Sequence, residues 1–402
     1  MVTLADIEAA RKTIDGSVFV SPCAYSETFS RLTGNKVFFK LENLQMTGSF
    51  KERGAVNKLM SLTAEERQRG VVTASAGNHA QGVAYHATRL GIRSTIVMPV
   101  GTPLIKVSST RNFGGEVVLY GTNFDEACEE AERLRRSENL VFVHAFDDDA
   151  IIAGQGTIGL ELLEQEWDLE AIVVPVGGGG MIGGIACAVK ELRPEIKVIG
   201  VEATRVPSMI RAVEGHAPVT LPPASTIGDG IAVRRAGDRT LPLVERYVDE
   251  IVTVDEEEIA NAILVLLERE KTVAEGAGAV GAAALLNHKT QLKGLRTAVV
   301  ISGGNIDVNF LSRIIERGLV KDGRLVRLRL RALDQPATLH KVLGLIAEKR
   351  ANVMDIVHDR AHYGVHLGET VIDLTLETRG RPHADEIVAA LVAGGYPIEQ
   401  IG

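Results

Sequence analysis

Cysteine is scarce: Cys23, Cys128 and Cys187 stand far apart in 402 residues, with no Cys-x-x-Cys spacing and no Cys/His pairing. That excludes a disulfide framework and a structural zinc site, and leaves the three as small apolar side chains. Long apolar runs are also missing, none approaching the roughly 18 uninterrupted residues of a membrane helix. The N-terminal "MVTLADIEAARKTI" carries acids early and has no apolar signal core, so a cytoplasmic protein is expected. There is no Lys/Arg-dense block, and the formal net charge is -8, so no nucleic-acid or anionic-membrane partner is expected. No short repeat and no low-complexity tract is visible.

What is present is an ordinary globular composition, 45% hydrophobic and 24% charged, with 41 glycines that point to an α/β chain rich in tight turns. The length suits two or three domains. From about residue 36 to 300, short apolar runs ("KVFFKLEN", "STIVMPV", "EVVLYG", "AIVVPVGG", "KVIGVEA", "TAVVISGG") alternate with helix-period stretches such as "NFDEACEEAERLRRSE". Such alternation predicts βα units and a mostly parallel sheet, whose strand ends bring polar and glycine-rich loops to one edge. Beyond "FLSRIIERGLVKDGR" the pattern becomes strand, helix, strand, strand, helix, strand over about 75 residues, the split ferredoxin-like unit. We expect a main α/β domain over 1–320, a linker at 321–324 and a second module over 325–402.

Residues 173–184 read "VVPVGGGGMIGG". Gly178, Gly180 and Gly183 satisfy G-x-G-x-x-G after a predicted strand, and Glu202 lies 22 residues beyond Gly180, where a dinucleotide fold places its ribose-binding acid. The same four glycines also suit a single phosphomonoester, because successive N–H groups can converge on one anion at a helix N-terminus. A turn needed only for close packing is the third reading.

Three other junctions bear on the choice. In "KLENLQMTGSFKERGA", Lys51 opens a helix, where the positive end of the dipole lowers an amine's pKa and favours the neutral nucleophile that a Schiff base requires. "TASAGNHAQG" is a strand-loop-helix turn in which Ser75, Ala76, Gly77, Asn78 and His79 leave N–H groups free for a carboxylate, and Asn78 offers an amide for a ring hydroxyl. For His79 a hydrogen-bonded structural role outweighs acid-base catalysis. "AVVISGGNID" presents Ser302 at a strand end, where a neutral hydroxyl beside a pyridine nitrogen would leave the ring unprotonated.

Taken together, these stretches resemble the fold-type II pyridoxal-phosphate enzymes, the tryptophan synthase β-like family, and most closely its threonine ammonia-lyases (threonine dehydratases). The tail resembles an ACT regulatory domain. The resemblance implies two open α/β sheets, with a small subdomain of about 50–145 inserted in the larger one, and pyridoxal 5'-phosphate on Lys51. Phe50 would lie beside the ring, Asn78 on its 3-hydroxyl and Ser302 at its nitrogen. Gly177, Gly178, Gly179, Gly180 and Met181 would hold the phosphate, and Ser75 to His79 the substrate carboxylate. It further implies elimination of ammonia from L-threonine, and from L-serine, in isoleucine biosynthesis or threonine catabolism. An isoleucine or valine effector at the ACT module and a homo-oligomer, dimer or tetramer, would follow. Room is left for a monovalent cation near Glu275, and no essential divalent metal is expected.

Two departures matter. Serine racemases of this scaffold carry a second acid-base serine where this chain has Ala76, and the further carboxylate of their metal site, expected after Glu202, falls on Val206 to Ser208. ACT domains generally have a glycine after the proline of their first turn, and here Pro336 is followed by Ala337. Serine racemase or serine dehydratase remains the alternative, with β-replacement enzymes and an NAD-binding protein behind it.

Overall fold

The computed structural model describes residues 1–360 and 366–400, so residues 361–365 and 401–402 of the expected C-terminal module lie outside the described residues. The chain divides into two compact units, Met1–Ile306 and Asp307–Gly402.

The first unit holds two sheets. The larger runs in the order Cys23–Ser26, Lys36–Leu41, Arg296–Ile301, Ala171–Pro175, Lys197–Ala203, Glu250–Val254. Only its first strand is antiparallel to its neighbour. The central strands are apolar on both faces because helices cover both sides. The smaller sheet, in the order Glu116–Leu119, Ser94–Met98, Val71–Ala74, Val141–Phe142, is wholly parallel and drawn from within the interval 50–145. In each sheet the strand order reverses at one point. The reversal in the small sheet falls between Val71–Ala74 and Val141–Phe142, so the loops after both strands open onto one crevice. In the large sheet Val299 is level with Val173, which sets Ser302 beside the glycine quartet.

A buried charge cluster ties the helix Lys51–Met60 to the larger sheet's side of the unit. Arg53 is completely buried and donates to Glu42 (2.7 and 2.8 Å) and to Glu161 (2.6 and 2.8 Å). Lys40, also fully buried, adds 2.5 Å to Glu161, and Ser21 Oγ donates to Glu42 at 2.6 Å. Burial alone would push the Glu42 carboxyl up, but Arg53 outweighs it and holds the group below its ordinary range.

The second unit begins with the helix Val308–Lys321, capped by Asp307, and grouped with the sheet that follows rather than with the first unit. Residues 321–324 make the turn into strand Leu325–Leu333. Helix Thr338–Glu348, strands Asn352–Asp359 and Glu369–Glu377, helix Arg381–Ala393 and strand Ile398–Gln400 follow. The sheet is antiparallel, with 352–359 and 398–400 at its edges, and its inner face packs on the helices through Leu328, Leu330, Val342, Ile372 and Ile387. The helix Thr338–Glu348 starts from Ala337 at φ 68, a left-handed conformation that strains any side chain bearing a Cβ.

Two stability outcomes follow. Arg53→Ala strands two buried carboxylates and is expected to cost roughly 3–5 kcal/mol in urea unfolding. Ala337→Gly relieves the left-handed strain and is expected to stabilise the C-terminal unit by about 1 kcal/mol in the same assay.

Candidate active site

Lys51 is the first residue of its helix, half-buried, with no side chain capping that end. Its amine donates to the carbonyl of Ala145 at 2.9 Å and lies 5.0 Å from the centre of the Phe50 ring. Burial lowers its pKa from 10.5 to about 8, against an opposing pull from the Glu275 carboxylate. An amine so placed is easily deprotonated near neutral pH.

The remaining expected residues close around it. Phe50 N–H donates to Ser302 O at 3.0 Å, and Ser49 bridges to Gly303, so the Lys51 turn is stitched to the end of strand Arg296–Ile301. Ser302 is buried, and its hydroxyl has no hydrogen-bond partner among the described residues. Helix Asn78–Arg89 starts from Gly77 with no side-chain cap, and a Cβ built on Gly77 meets only open space, so this helix start borders the crevice. Ser75 Oγ accepts from Gly77 N–H at 3.2 Å, and Ala76 packs on the small-sheet core. His79 Nε2 lies 3.0 Å from Val143 O. A carbonyl only accepts, so Nε2 carries the hydrogen and Nδ1 presents a lone pair that finds no partner. Burial, with Lys51 adding to it, pushes the His79 pKa down to about 3 and keeps the ring neutral.

The glycine quartet lies across the same crevice, joined to Lys51 through the 145–146 backbone. A Cβ on Gly178 would strike the Phe146 ring, and one on Gly180 would lie 2.8 Å from Phe146 O. Gly179, at φ 90, caps helix Gly180–Leu192, and a Cβ there would meet Thr240 Oγ1 at 2.8 Å. Thr240 Oγ1 donates to Gly178 O at 2.6 Å and pins the loop from behind. The N–H groups of Gly177, Gly178 and Gly179 have no acceptor among the described residues, and those of Gly180 and Met181 belong to the uncapped first turn of the helix. The Met181 side chain lies in the large-sheet core, so only its backbone is available. An anion-binding nest, an available amine and a free hydroxyl at Ser302 answer the phosphate, the aldehyde and the ring nitrogen of a phosphorylated pyridine aldehyde, and the residues present fit that group.

Glu202 does something else. Its carboxylate accepts from Met209 N–H (2.8 Å) and Ile210 N–H (2.9 Å) and caps the helix Ser208–Gly215. Completely buried, its pKa is pushed up to about 7 against those two bonds. It is committed to a helix end, which removes it as a ribose acid or a metal ligand. Among the described residues no cluster of histidine, cysteine and carboxylate side chains could hold a metal ion.

Sequence reasoning missed several groups. Ala145 and Phe146 reach Lys51 and the quartet by backbone and ring, with no signature of their own. Asn305, the residue directly after the "SGG" turn, donates to Asn78 Oδ1 at 2.9 Å. Glu275, singled out in the sequence only as the neighbourhood of a monovalent cation, accepts from Asn78 Nδ2 at 2.7 Å and is itself buried, with its pKa pushed up to about 7 by burial and by Asp229.

The pattern characteristic of the family described as "Pyridoxal-phosphate dependent enzyme" matches residues 14–303. An L-threonine ammonia-lyase from Thermotoga maritima is 52% identical over 402 residues, all of both chains. Two solved structures superpose well. Processed threonine deaminase isoform 2 from Solanum lycopersicum has a TM-score of 0.74 and 38% identity, over 78% of this chain and 86% of that one. Maize serine racemase has a TM-score of 0.75 and 33% identity, over 80% of this chain and 98% of that one.

The low amine pKa has a measurable sign. Between about 8 and 10.5 the unfolded chain binds the Lys51 proton and the folded chain does not, so stability rises with pH across that window. Urea unfolding of the cofactor-free chain at both ends of it is expected to show this rise, and Lys51→Met to remove that part of it.

Proposed function

The chain belongs to the family of pyridoxal-phosphate-dependent enzymes, and from that premise we propose that it is an L-threonine ammonia-lyase, converting L-threonine to 2-oxobutanoate and ammonia. The observation that carries this reading is the Lys51 amine, pulled down to about 8 and set between the 75–79 turn and the glycine nest.

Pyridoxal phosphate, when bound, supplies an electron-withdrawing ring that weakens the Cα–H bond of an attached amino acid. The chain does the rest. Lys51 would hold the cofactor through its amine, and the same amine, when free, would take the Cα proton as general base. N–H groups of Gly177 to Met181 would hold the phosphate, and those of the 75–79 turn the substrate carboxylate. Ser302 would meet the ring nitrogen with a neutral hydroxyl, which does not stabilise a pyridinium as a carboxylate does, and a weaker electron sink suits elimination of the β-hydroxyl. His79, held neutral with its one hydrogen on Nε2 given to Val143 O, shapes the turn and transfers no proton. The β-hydroxyl leaves as water with a proton that balances the one Lys51 takes from Cα, and hydrolysis by one water then gives 2-oxobutanoate and ammonia.

L-Serine is a second substrate in this reading, since one methyl group is worth only about 1–3 kcal/mol of discrimination. Racemisation is disfavoured because position 76, where the opposite face would need a proton donor, is alanine.

The C-terminal unit is read as an ACT-type regulatory module. A cleft of about 420 Å³ lies at its first turn, lined by Asp334, Ala337, Thr338, His340, His358 and Arg360 among others. An amino acid such as isoleucine or valine suits that size, which fits a place in isoleucine biosynthesis. The edge strand Asn352–Asp359 leaves Met354 and Val357 exposed, apolar surface that pairing between copies in a dimer or tetramer would cover. Among the described residues no helix is long and apolar enough to cross a membrane.

The enzyme with L-threonine is expected to form 2-oxobutanoate, assayed as the keto acid, and Lys51→Ala to lower kcat by on the order of a thousandfold or more. D-Serine formed from L-serine at a rate comparable to pyruvate would favour the racemase reading instead. Saturating isoleucine is expected to change the rate or its sigmoidicity, and removal of residues beyond 323 to abolish that response. A response absent in both cases defeats the regulatory reading.

A further inference from the structure

Asn78 is read above as the partner of the cofactor's ring oxygen, and the inference here rests on that reading. An asparagine amide has two unlike ends, and only its nitrogen can donate. What decides which end faces where is a short chain of bonds from segments remote in sequence. Asn305 Nδ2 donates to Thr47 O at 2.7 Å and to Asn78 Oδ1 at 2.9 Å. Thr47 O is a backbone acceptor, so Asn305 cannot turn its own oxygen that way, and both of its donor hydrogens are spent. Asn78 Oδ1 is therefore the accepting end. Its Nδ2 donates one hydrogen to Glu275 Oε1 at 2.7 Å, and the second hydrogen is used by no group among the described residues.

Glu275 is built for this contact. It stands at the N-cap of helix Gly276–Leu286, yet its side chain makes no cap bond and turns toward Asn78 instead. It is buried, 5% exposed, and its N–H is fixed to Gly303 O at 3.0 Å. A Cβ on Gly303 would lie 2.5 Å from Glu275 Oε1 and 3.1 Å from Asn78 Nδ2, so the glycine of the Ser302 turn makes room for the bond. Lys51, Asp229 and Lys106 are the charged groups that act on the carboxylate, and Lys106 and Asp229 pair with each other at 3.0 Å.

We propose that Glu275 and Asn305 are positioning residues, which hold the Asn78 amide in the one orientation that turns a spare N–H toward the cofactor's ring oxygen. Neither needs to touch the reacting atoms. A donor at that oxygen stabilises its anionic form, so the orientation is readable in the electronic spectrum of the lysine-bound cofactor as well as in the rate.

The test uses the full-length holoenzyme and three measurements: the ratio of visible to near-ultraviolet absorbance, the affinity of the stripped protein for added pyridoxal phosphate, and kcat and KM for L-threonine. Asn305→Asp keeps size and shape but places an acceptor against Asn78 Oδ1, which drives the amide to flip. We expect it to shift absorbance from the visible to the near-ultraviolet band and to lower kcat about tenfold, with KM changed less. Glu275→Ala is expected to do the same in smaller degree. Glu275→Gln retains an acceptor oxygen for Asn78 Nδ2 and is expected to restore the spectrum. Asn78→Ala separates the two levels of inference. If it alters the spectrum while Asn305→Asp and Glu275→Ala leave spectrum and affinity as in the parent, the positioning role is overturned and the Asn78 reading stands. If Asn78→Ala also changes nothing, the Asn78 reading itself fails. If Glu275→Gln is as impaired as Glu275→Ala, the buried charge rather than the orientation matters, and the proposal is likewise overturned.

Discussion

One guanidinium determines where the reactive amine sits. Arg53 follows Lys51 by two residues and is bonded on both sides, to Glu42 ahead of its own helix and to Glu161 in the helix Asp149–Gln165. Between those helices the backbones nearly touch, since a Cβ on Gly154 would lie 2.7 Å from both Arg53 O and Gly54 Cα. The helix bearing Lys51 can neither slide nor rotate without breaking a buried charge cluster. Such clusters are poor sources of net stability but strict about geometry. Strictness is what a lysine would need if, as proposed, it holds a cofactor at one time and reaches a Cα proton at another.

Around that fixed point, burial sorts the titratable groups. Lys51 and His79 are pushed toward their neutral forms, and Glu202 and Glu275 are pushed up to about the same value. The two carboxylates show why a shifted pKa does not by itself mark function. Both oxygens of Glu202 are taken by N–H groups of one helix start, a local structural duty. Glu275 declines the helix end beside it and reaches an asparagine 197 residues away in sequence. Their partners, not their acidities, tell them apart.

The same distinction explains what could be read from the sequence. Strand-loop-helix junctions announce themselves locally, because apolar runs, small turn residues and helix periods are neighbours along the chain. The Lys51, 75–79, 177–181 and 302 junctions were legible for that reason, and the two sheets bring them to one crevice. The ferredoxin-like order of the tail was legible through its alternation of periods two and 3.6. Asn305 and Phe146 were not, since their roles consist of contacts with residues 227 and 32 positions away that no local pattern encodes. Helix Val308–Lys321 has an amphipathic face, but such a face does not say which sheet it will join, and the helix groups with the C-terminal unit.

The glycine quartet sharpens the point. Gly178, Gly179 and Gly180 are each demanded by packing alone: the Phe146 ring and carbonyl lie against the first and last, and Thr240 and a left-handed turn against the middle one. A glycine run is therefore compatible with dinucleotide, phosphomonoester or no ligand at all, and its spacing cannot choose among them. What chooses is the set of N–H groups that the packing leaves unpaired, three on the loop and more on the uncapped helix turn that follows it directly. A dinucleotide would also need an acid free for its ribose, and Glu202 is occupied. With Lys51 held on the facing side by Ala145, the residue beside Phe146, the nest and the amine are set by adjoining residues of one loop. That coupling suits a small ligand with a phosphate at one end and a carbonyl carbon at the other.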